Sequence, residues 1–267
     1  MVKYLVWLTF GLSIVVLGCG EEKGCTDPNS ISYNPNAGED DGSCSYPDQT
    51  RLFPLFFFTA SNCASCGTFS FPIFQSYANQ ADGYIPVSVY ALSQDSLFSA
   101  AGVNLQSGLN VQSIPSFAVA NSSGLNTATE LTEAIQAESE RSARIGIQAV
   151  RNQDEGEALS FTLRGYLHEE VEGTLLANVW VIQDQVSSPQ EGIGPNHTHL
   201  NVLRAAGGSN AFGFEVSPDN GNKGQSFKLD VAIAKKDNWA SENLRFVATV
   251  WSSSNGNYLF ENAQIIR

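Results

Sequence analysis

Two cysteines three residues apart, Cys63 and Cys66, are the residues whose spacing most directly indicates chemistry. A Cys-X-X-Cys pair can close a short disulfide, and its first thiolate can attack other disulfides when a helix N-terminus or a cation lowers its pKa. Cys63 is predicted to precede a helix, but no Lys, Arg or His occurs from residue 52 to residue 140. Four interpretations stay open: thiol–disulfide exchange, an inert structural disulfide, a metal site that needs further ligands, and two thiols that form no bond.

Cys25 and Cys44 bracket a segment rich in Pro, Asn, Asp and Gly, without periodic apolar residues. Such a segment cannot bury a core of its own, so a covalent clip is the physical means of ordering it. Closing a loop of this length contributes roughly 3 kcal/mol in the chain-entropy model. Of the three connectivities that four cysteines allow, Cys25–Cys44 with Cys63–Cys66 is therefore the simplest.

Side-chain oxygens in the clipped segment have the hardness that calcium prefers. The candidate ligands are Asp27, Asn34, Asn36, Asp40 and Asp41. The same residue types are also ordinary turn formers, and no EF-hand spacing is present. We favour a clipped linker over a calcium site, and calcium is the one cofactor that the sequence suggests. From Gly24-Cys25-Thr26-Asp27-Pro28 to Asp40-Asp41-Gly42-Ser43-Cys44, the segment resembles a short module repeated in many bacterial surface proteins.

Residues 1–18 have the proportions of a secretory signal, with one cation, Lys3, before a short apolar run. The run is too short to span a bilayer comfortably. Leu17-Gly18-Cys19 resembles the lipobox of bacterial lipoproteins, which implies lipidation of Cys19 and membrane attachment through that lipid. The acidic residues that follow resemble surface-export signals. The sequence therefore predicts a lipid-anchored protein of the outer membrane, exposed at the cell surface.

The charge balance excludes one large class of partner. The 267 residues include 14 Lys and Arg against 27 Asp and Glu, for a formal net charge of −13. Nucleic acids and anionic membrane faces require clustered cations. Nucleic-acid binding is therefore not expected.

Residues 51–144 are predicted to form an α/β domain around the Cys63–Cys66 pair. The predicted elements are a buried strand at 52–59, a helix after Cys66 through Gln80 kinked at Pro72, a strand at 84–91, a strand at 117–120 after Ile114-Pro115, and a helix from Thr127 to about Ala143. This order resembles the thioredoxin fold. The resemblance implies a cis Pro115 facing the cysteine pair, although Asn62 and Ser65 depart from the usual Trp and Pro.

Residues 145–267 change to a period of two, typical of strands. Seven strands are predicted, at 145–151, 158–167, 175–185, 199–206, 226–234, 243–251 and 258–266, which indicates an immunoglobulin-like β-sandwich. Val179 and Val181 are expected on one face of the third strand, and Trp180 and Ile182 on the other. His197-Thr198-His199 offers two imidazoles on one face. Solvent-facing side chains at a strand entry are the favoured interpretation there, over a metal site.

The whole arrangement resembles the outer-membrane-protein-twenty-eight family of bacterial surface lipoproteins, from about residue 53 to residue 267. The matching motifs are Cys63-Ala-Ser-Cys66, Asn196-His-Thr-His-Leu-Asn-Val-Leu-Arg204, and the closing segment from Leu244 to Arg267. The organisation is then a signal at 1–18, an acidic clipped linker at 19–50 acting as a stalk, and the two domains.

The resemblance implies an adhesive or accessory role. We therefore expect an interaction module of the cell envelope that binds another envelope protein. The alternative is an envelope thiol–disulfide oxidoreductase in which Cys63 is the nucleophile, Cys66 the resolving thiol and Pro115 part of the redox site.

Overall fold

The computed structural model describes residues 21–154, 156–216 and 221–267. The predicted signal at 1–18 and the lipidation site Cys19 lie outside the described residues. Within the described ranges, no helix is long and apolar enough to cross a membrane.

The described chain is mostly β-sheet, with three α-helices. Its first part contains β1 (Glu22–Gly24), β2 (Ala37–Asp40), β3 (Phe53–Thr59), α1 (Phe71–Ala78), β4 (Tyr84–Tyr90), α2 (Ala100–Gly108), β5 (Ser116–Val119), β6 (Ser122–Leu125) and α3 (Ala128–Ser139). Its second part contains β7 (Ile145–Arg151), β8 (Ala158–Leu167), β9 (Thr174–Gln183), β10 (Val186–Gln190), β11 (Gly194–His199), β12 (Val202–Ala206), β13 (Phe214–Glu215), β14 (Ser226–Ala234), β15 (Leu244–Ser254) and β16 (Asn257–Ile266).

One large sheet runs through both halves of the chain. Its strand order is β16-β15-β9-β12-β4-β3-β5-β6, and β13 pairs with β9 beside this path. Strands β3 and β4 are parallel, β5 is antiparallel to β3, and β12 joins β4 through Val202 and Ser88. The sheet therefore continues across the boundary that the sequence places after residue 144.

Strand β9 separates two hydrophobic cores. Trp180 and Ile182 pack into the core formed with β3, β4 and the helices, while Val179 and Val181 pack into the core beneath the smaller sheet β14-β8-β7. The predicted two-faced alternation of this strand is confirmed. Because apolar side chains fill both faces, the two halves share their packing and are not held together by a polar interface.

The local differences from the sequence prediction have physical causes. A π-helical turn at Cys66–Ser70 precedes α1. Pro72 lies in the first turn of α1, where a backbone N–H would have no partner within the helix. Pro72 therefore does not kink a longer helix. The predicted strand at 199–206 is divided because Asn201 has a φ of 59°. Helix α2 escaped prediction because its buried residues, Ala101, Gly102 and Leu105, are mostly small.

The clipped module at residues 21–46 is not the predicted free stalk, because it docks onto the smaller sheet. The Cys25–Cys44 disulfide is formed, as predicted. Asp27 accepts hydrogen bonds from the hydroxyls of Tyr46 at 2.6 Å and Ser226 at 3.0 Å. The Tyr46 ring also stacks on Tyr166, with centroids 4.4 Å apart. These contacts fix the module against β8 and β14.

The Tyr46–Asp27 bond predicts a pH-dependent contribution to this docking. Burial, with the hydrogen bond and charge of Asp27, raises the pKa of Tyr46 to about 12. The protonated phenol is therefore favoured in the folded state, and its contribution is present below pH 10 and lost as the pH rises to about 12. Tyr46→Phe should cost about 1 kcal/mol at pH 7, because the bond is to a charged but partly exposed group.

Urea unfolding at pH 7 and absorbance titration of the tyrosines test this prediction. The exposed Tyr33 in the same module supplies the control Tyr33→Phe, which should change stability little. Equal stabilities of the two variants would contradict the assigned role of the bond.

Candidate functional site

Cys63 and Cys66 are joined by a disulfide directly after the central strand β3. Cys66 is fully buried and packs in the main core, whereas Cys63 is only partly buried at its edge. Strand β3 carries an uninterrupted apolar run and is buried along its whole length, so it holds the start of the Cys-X-X-Cys loop rigidly. An attacking thiol can therefore approach only the Cys63 sulfur.

The immediate contacts of Cys63 Sγ come from its own loop. The backbone N–H of Cys66 donates to it at 3.2 Å, and Ser65 Oγ lies 3.5 Å away. An amide donor at a helix start stabilises negative charge on a sulfur after reduction. Among the described residues, no Lys or Arg forms a salt bridge or hydrogen bond with residues 60–70, so this charge would depend on the amide and hydroxyl donors.

Pro115 lies at the same end of the sheet as Cys63. The Ile114–Pro115 peptide bond is cis, as the thioredoxin resemblance implies. Strand β5 begins at the next residue, Ser116, which pairs with Phe58 near the end of β3. The topology thus brings Pro115 to the end of β3 from which the Cys-X-X-Cys loop begins.

A β-hairpin from the second half of the chain covers the Cys63–Cys66 loop. It consists of β10, β11 and the turn between them (186–199), and we call it the latch. The Gln190 side-chain amide donates to the carbonyls of Ala60 and Cys63, each at 3.2 Å. The backbone N–H of Glu191 donates to the Ser61 carbonyl at 2.8 Å. A Cβ atom on Gly67 would collide with the Glu191 carbonyl, so the latch requires glycine there. The Ser-Ser-Pro sequence of β10 is typical of a loop, so the sequence did not predict this strand.

The histidines of the latch are not solvent-facing, which corrects the favoured sequence interpretation. His199 is 1% exposed; its Nδ1 hydrogen-bonds with the Tyr90 hydroxyl at 2.8 Å and its Nε2 is 3.2 Å from the Ser188 carbonyl oxygen. The His197 ring packs edge-on against both His199 and Phe71, each with centroids 4.6 Å apart. The pair therefore ties the latch to β4 and to α1 beside the cysteines.

Both latch histidines are held neutral by their surroundings. Desolvation lowers the pKa of His197, and desolvation together with the nearby His197 lowers the pKa of His199 to about 4. These rings therefore supply no cation to a Cys63 thiolate at pH 7. Within the described ranges, no group of three or more His, Cys, Asp and Glu side chains is arranged to hold a metal ion.

A cleft of about 790 Å³ opens beside the loop. Ser61 and Asn62 form one wall, and latch residues from Ser188 to Pro195 form the other. Two large apolar side chains, Phe69 and Ile193, are 73% and 46% exposed on the two elements that meet there. The cysteine end of the molecule thus presents a partly covered disulfide, an open cleft and exposed apolar side chains.

The predicted calcium ligands make turn and docking contacts in this structure. Asn34, Asp40 and Asp41 accept hydrogen bonds from backbone N–H groups two residues further along the chain, and Asp27 binds Tyr46 and Ser226. Asn36 donates its backbone N–H to Asn34. Turn formation accounts for these residue types, and calcium binding stays a prediction.

Comparison with known proteins shows likeness of fold only. No family model matches the chain, and no curated protein matches its sequence. HBP35 of Porphyromonas gingivalis is similar with a TM-score of 0.67 and 15% identity, over 82% of this chain and 76% of that chain. Protein AGR_C_4864 of Agrobacterium tumefaciens has a TM-score of 0.50 and 11% identity, over 82% and 96%.

A domain of the outer membrane lipoprotein Omp28 from Porphyromonas gingivalis is also similar, with 18% identity over 47% of this chain and 88% of that chain. Its TM-score of 0.33 is too low to support an argument about this protein. Function must therefore be argued from the cysteine site itself.

Proposed function

We propose that this protein is an accessory protein of the bacterial envelope and that it contributes thiol–disulfide exchange at Cys63. In this proposal, a lipid on Cys19 holds it at the outer membrane, at the cell surface. Residues 51–144 act as a thioredoxin-like unit. The observation that carries the proposal is the asymmetry of the disulfide: Cys63 is only partly buried and its sulfur receives an amide hydrogen bond, whereas Cys66 is fully buried.

The reaction follows from this asymmetry. A thiolate of a substrate dithiol attacks Cys63 Sγ, the Cys63–Cys66 bond breaks, and Cys66 leaves with the electron pair. The second substrate thiolate then attacks its own sulfur in the mixed disulfide and releases Cys63 as a thiolate. The substrate is oxidised by two electrons and the cysteine pair is reduced by two. A second disulfide compound of the envelope must reoxidise the pair for turnover.

The reduction potential of the Cys63–Cys66 pair tests this proposal. The chain from residue 20 onward would be equilibrated in glutathione buffers and its thiols counted by alkylation and mass spectrometry. A potential between about −120 and −270 mV, the range of known exchange proteins, is expected. A potential below about −300 mV, typical of structural disulfides, would overturn the catalytic role.

The second candidate is a binding module in which the disulfide only supports the fold. The latch favours it, because Gln190 and Glu191 clamp the loop and leave Phe69 and Ile193 exposed as a contact surface for another envelope protein. Phe69→Ser should then reduce cross-linking to that partner in intact cells. Leu259→Ser, which removes another half-exposed side chain on β16, should leave the cross-linking unchanged.

A further inference from the structure

A small cavity between the start of α2 and residues 204–211 is lined by two cations, Arg204 and Lys236. Its volume is about 170 Å³. The lining residues are Ala100, Ala101, Asn104, Arg204, Ala205, Ala206, Gly208, Ser209, Ala211 and Lys236. None of these described lining residues is Asp or Glu. Neither cation forms a salt bridge within the described ranges, which is unusual in a chain whose formal net charge is −13. The Lys236 ammonium lies over the Trp239 ring, 5.9 Å from its centroid.

Arg204 is the principal feature of this cavity. Its Nη1 is shielded from solvent and has no hydrogen-bond partner, and no salt bridge among the described residues includes it. A buried guanidinium donor without an acceptor costs free energy, so such groups are normally paired. Burial lowers the pKa of Arg204, but the guanidinium of arginine stays charged at neutral pH. The missing partner is therefore an anion.

The backbone places Arg204 at this position through a β-bulge. In the pairing of β12 with β9, Leu203 lies opposite Ile182 and Ala205 lies opposite Val181, so Arg204 is the extra residue. Bulges re-aim a side chain out of the regular alternation and are common next to functional sites. Asn104 adds a directed amide, because its Oδ1 accepts from the Ala211 N–H at 3.2 Å and its NH2 group remains a donor.

We propose that this cavity binds a small oxoanion, either phosphate or the carboxylate of a small organic acid. The guanidinium of Arg204 can bind two oxygens of either group in parallel, and the ammonium of Lys236 adds a second charge. A liquid water occupies about 30 Å³, so the cavity has room for one such group and not for a nucleotide. The site is independent of the Cys63–Cys66 pair and of the function proposed for it.

The test is a titration of the chain from residue 20 onward, followed by two-dimensional NMR of its amides at constant ionic strength. Sodium phosphate is one arm, sodium acetate and succinate form the other, and sodium chloride is the reference. We expect saturable shifts centred on residues 100–104 and 204–211 with phosphate, the carboxylates, or both. The arm that saturates at lower concentration identifies the preferred anion.

Three variants complete this test. Arg204→Gln should weaken the affinity at least tenfold, and Lys236→Gln should weaken it severalfold. Lys235→Gln is the matched control, since Lys235 is the exposed neighbour that does not line the cavity, and it should leave the affinity unchanged. Because Lys236 is exposed, its substitution tests the site even if Arg204→Gln fails to fold. Shifts that do not saturate, or equal losses in the two lysine variants, would overturn the proposal.

Discussion

Removing Cys66 should leave a thiol at Cys63 that reacts at least one hundred times faster than the thiol left by removing Cys63. In Cys66→Ser the remaining sulfur lies at the partly exposed edge of the core with the amide of residue 66 directed at it. In Cys63→Ser the remaining sulfur is fully buried in the core. A buried thiol in apolar surroundings is both inaccessible and hard to ionise.

The rate at which iodoacetamide alkylates each folded variant, followed by mass spectrometry, measures this difference. Both variants lose the same four-residue loop closure, which contributes about 2 kcal/mol in the chain-entropy model. Cys66→Ser should be the less stable of the two, because it also places a hydroxyl in the apolar core. In 8 M urea the two rates should converge, which serves as the control. Equal rates in the folded state would show that the disulfide has no accessible side, and the exchange mechanism would then have to be abandoned.

Acidification from pH 6.5 to pH 4 should destabilise the protein by up to about 3 kcal/mol through His199. The folded-state pKa of His199 is lowered to about 4, while the unfolded chain takes up the proton near pH 6.5. Protons therefore bind the unfolded state first, and stability falls as the pH drops through this window. Below pH 4 the folded state also binds the proton, and this contribution falls no further.

This pH dependence arises because the groups around the His199 ring bury it and disfavour its protonation. Tyr90, the Ser188 carbonyl and His197 surround His199, and Asp95 is the nearby carboxylate that acts in the opposite direction. The lowered pKa of His197 adds to the same trend. Protonation should thus loosen the attachment of the latch to β4 and expose the Cys63 loop.

Urea unfolding at pH 7, 5.5 and 4 checks this prediction. His199→Gln should remove most of the fall in stability between pH 6.5 and 4. His168→Gln is the matched control, because His168 bonds to the Pro47 carbonyl beside the clipped module and not to the latch. A wild-type protein that keeps its full stability at pH 4 would contradict the neutral, buried state of His199.

The sequence determined the local elements because their signals are local. The apolar run of β3 and the alternation in β9 are properties of short windows, and both elements form where they were expected. The capping box at Thr127 and Glu130 opens α3 for the same reason, although that helix ends at Ser139, before the predicted residue 143. The Cys25–Cys44 pairing also followed from a local argument about a loop that has no core.

Only the tertiary structure decided what surrounds the Cys63–Cys66 pair. The latch reaches it from about 125 residues further along the chain, as in the bond from Gln190 to the Cys63 carbonyl, which has a sequence separation of 127. The burial of His199 depends on Tyr90, 109 residues away. The partnerless Arg204 is visible only when the β-bulge and α2 are in place. Periodicity and motif spacing describe neighbours along the chain, whereas the electrostatics of a site depend on neighbours in space, and these were set here by the sheet that joins both halves.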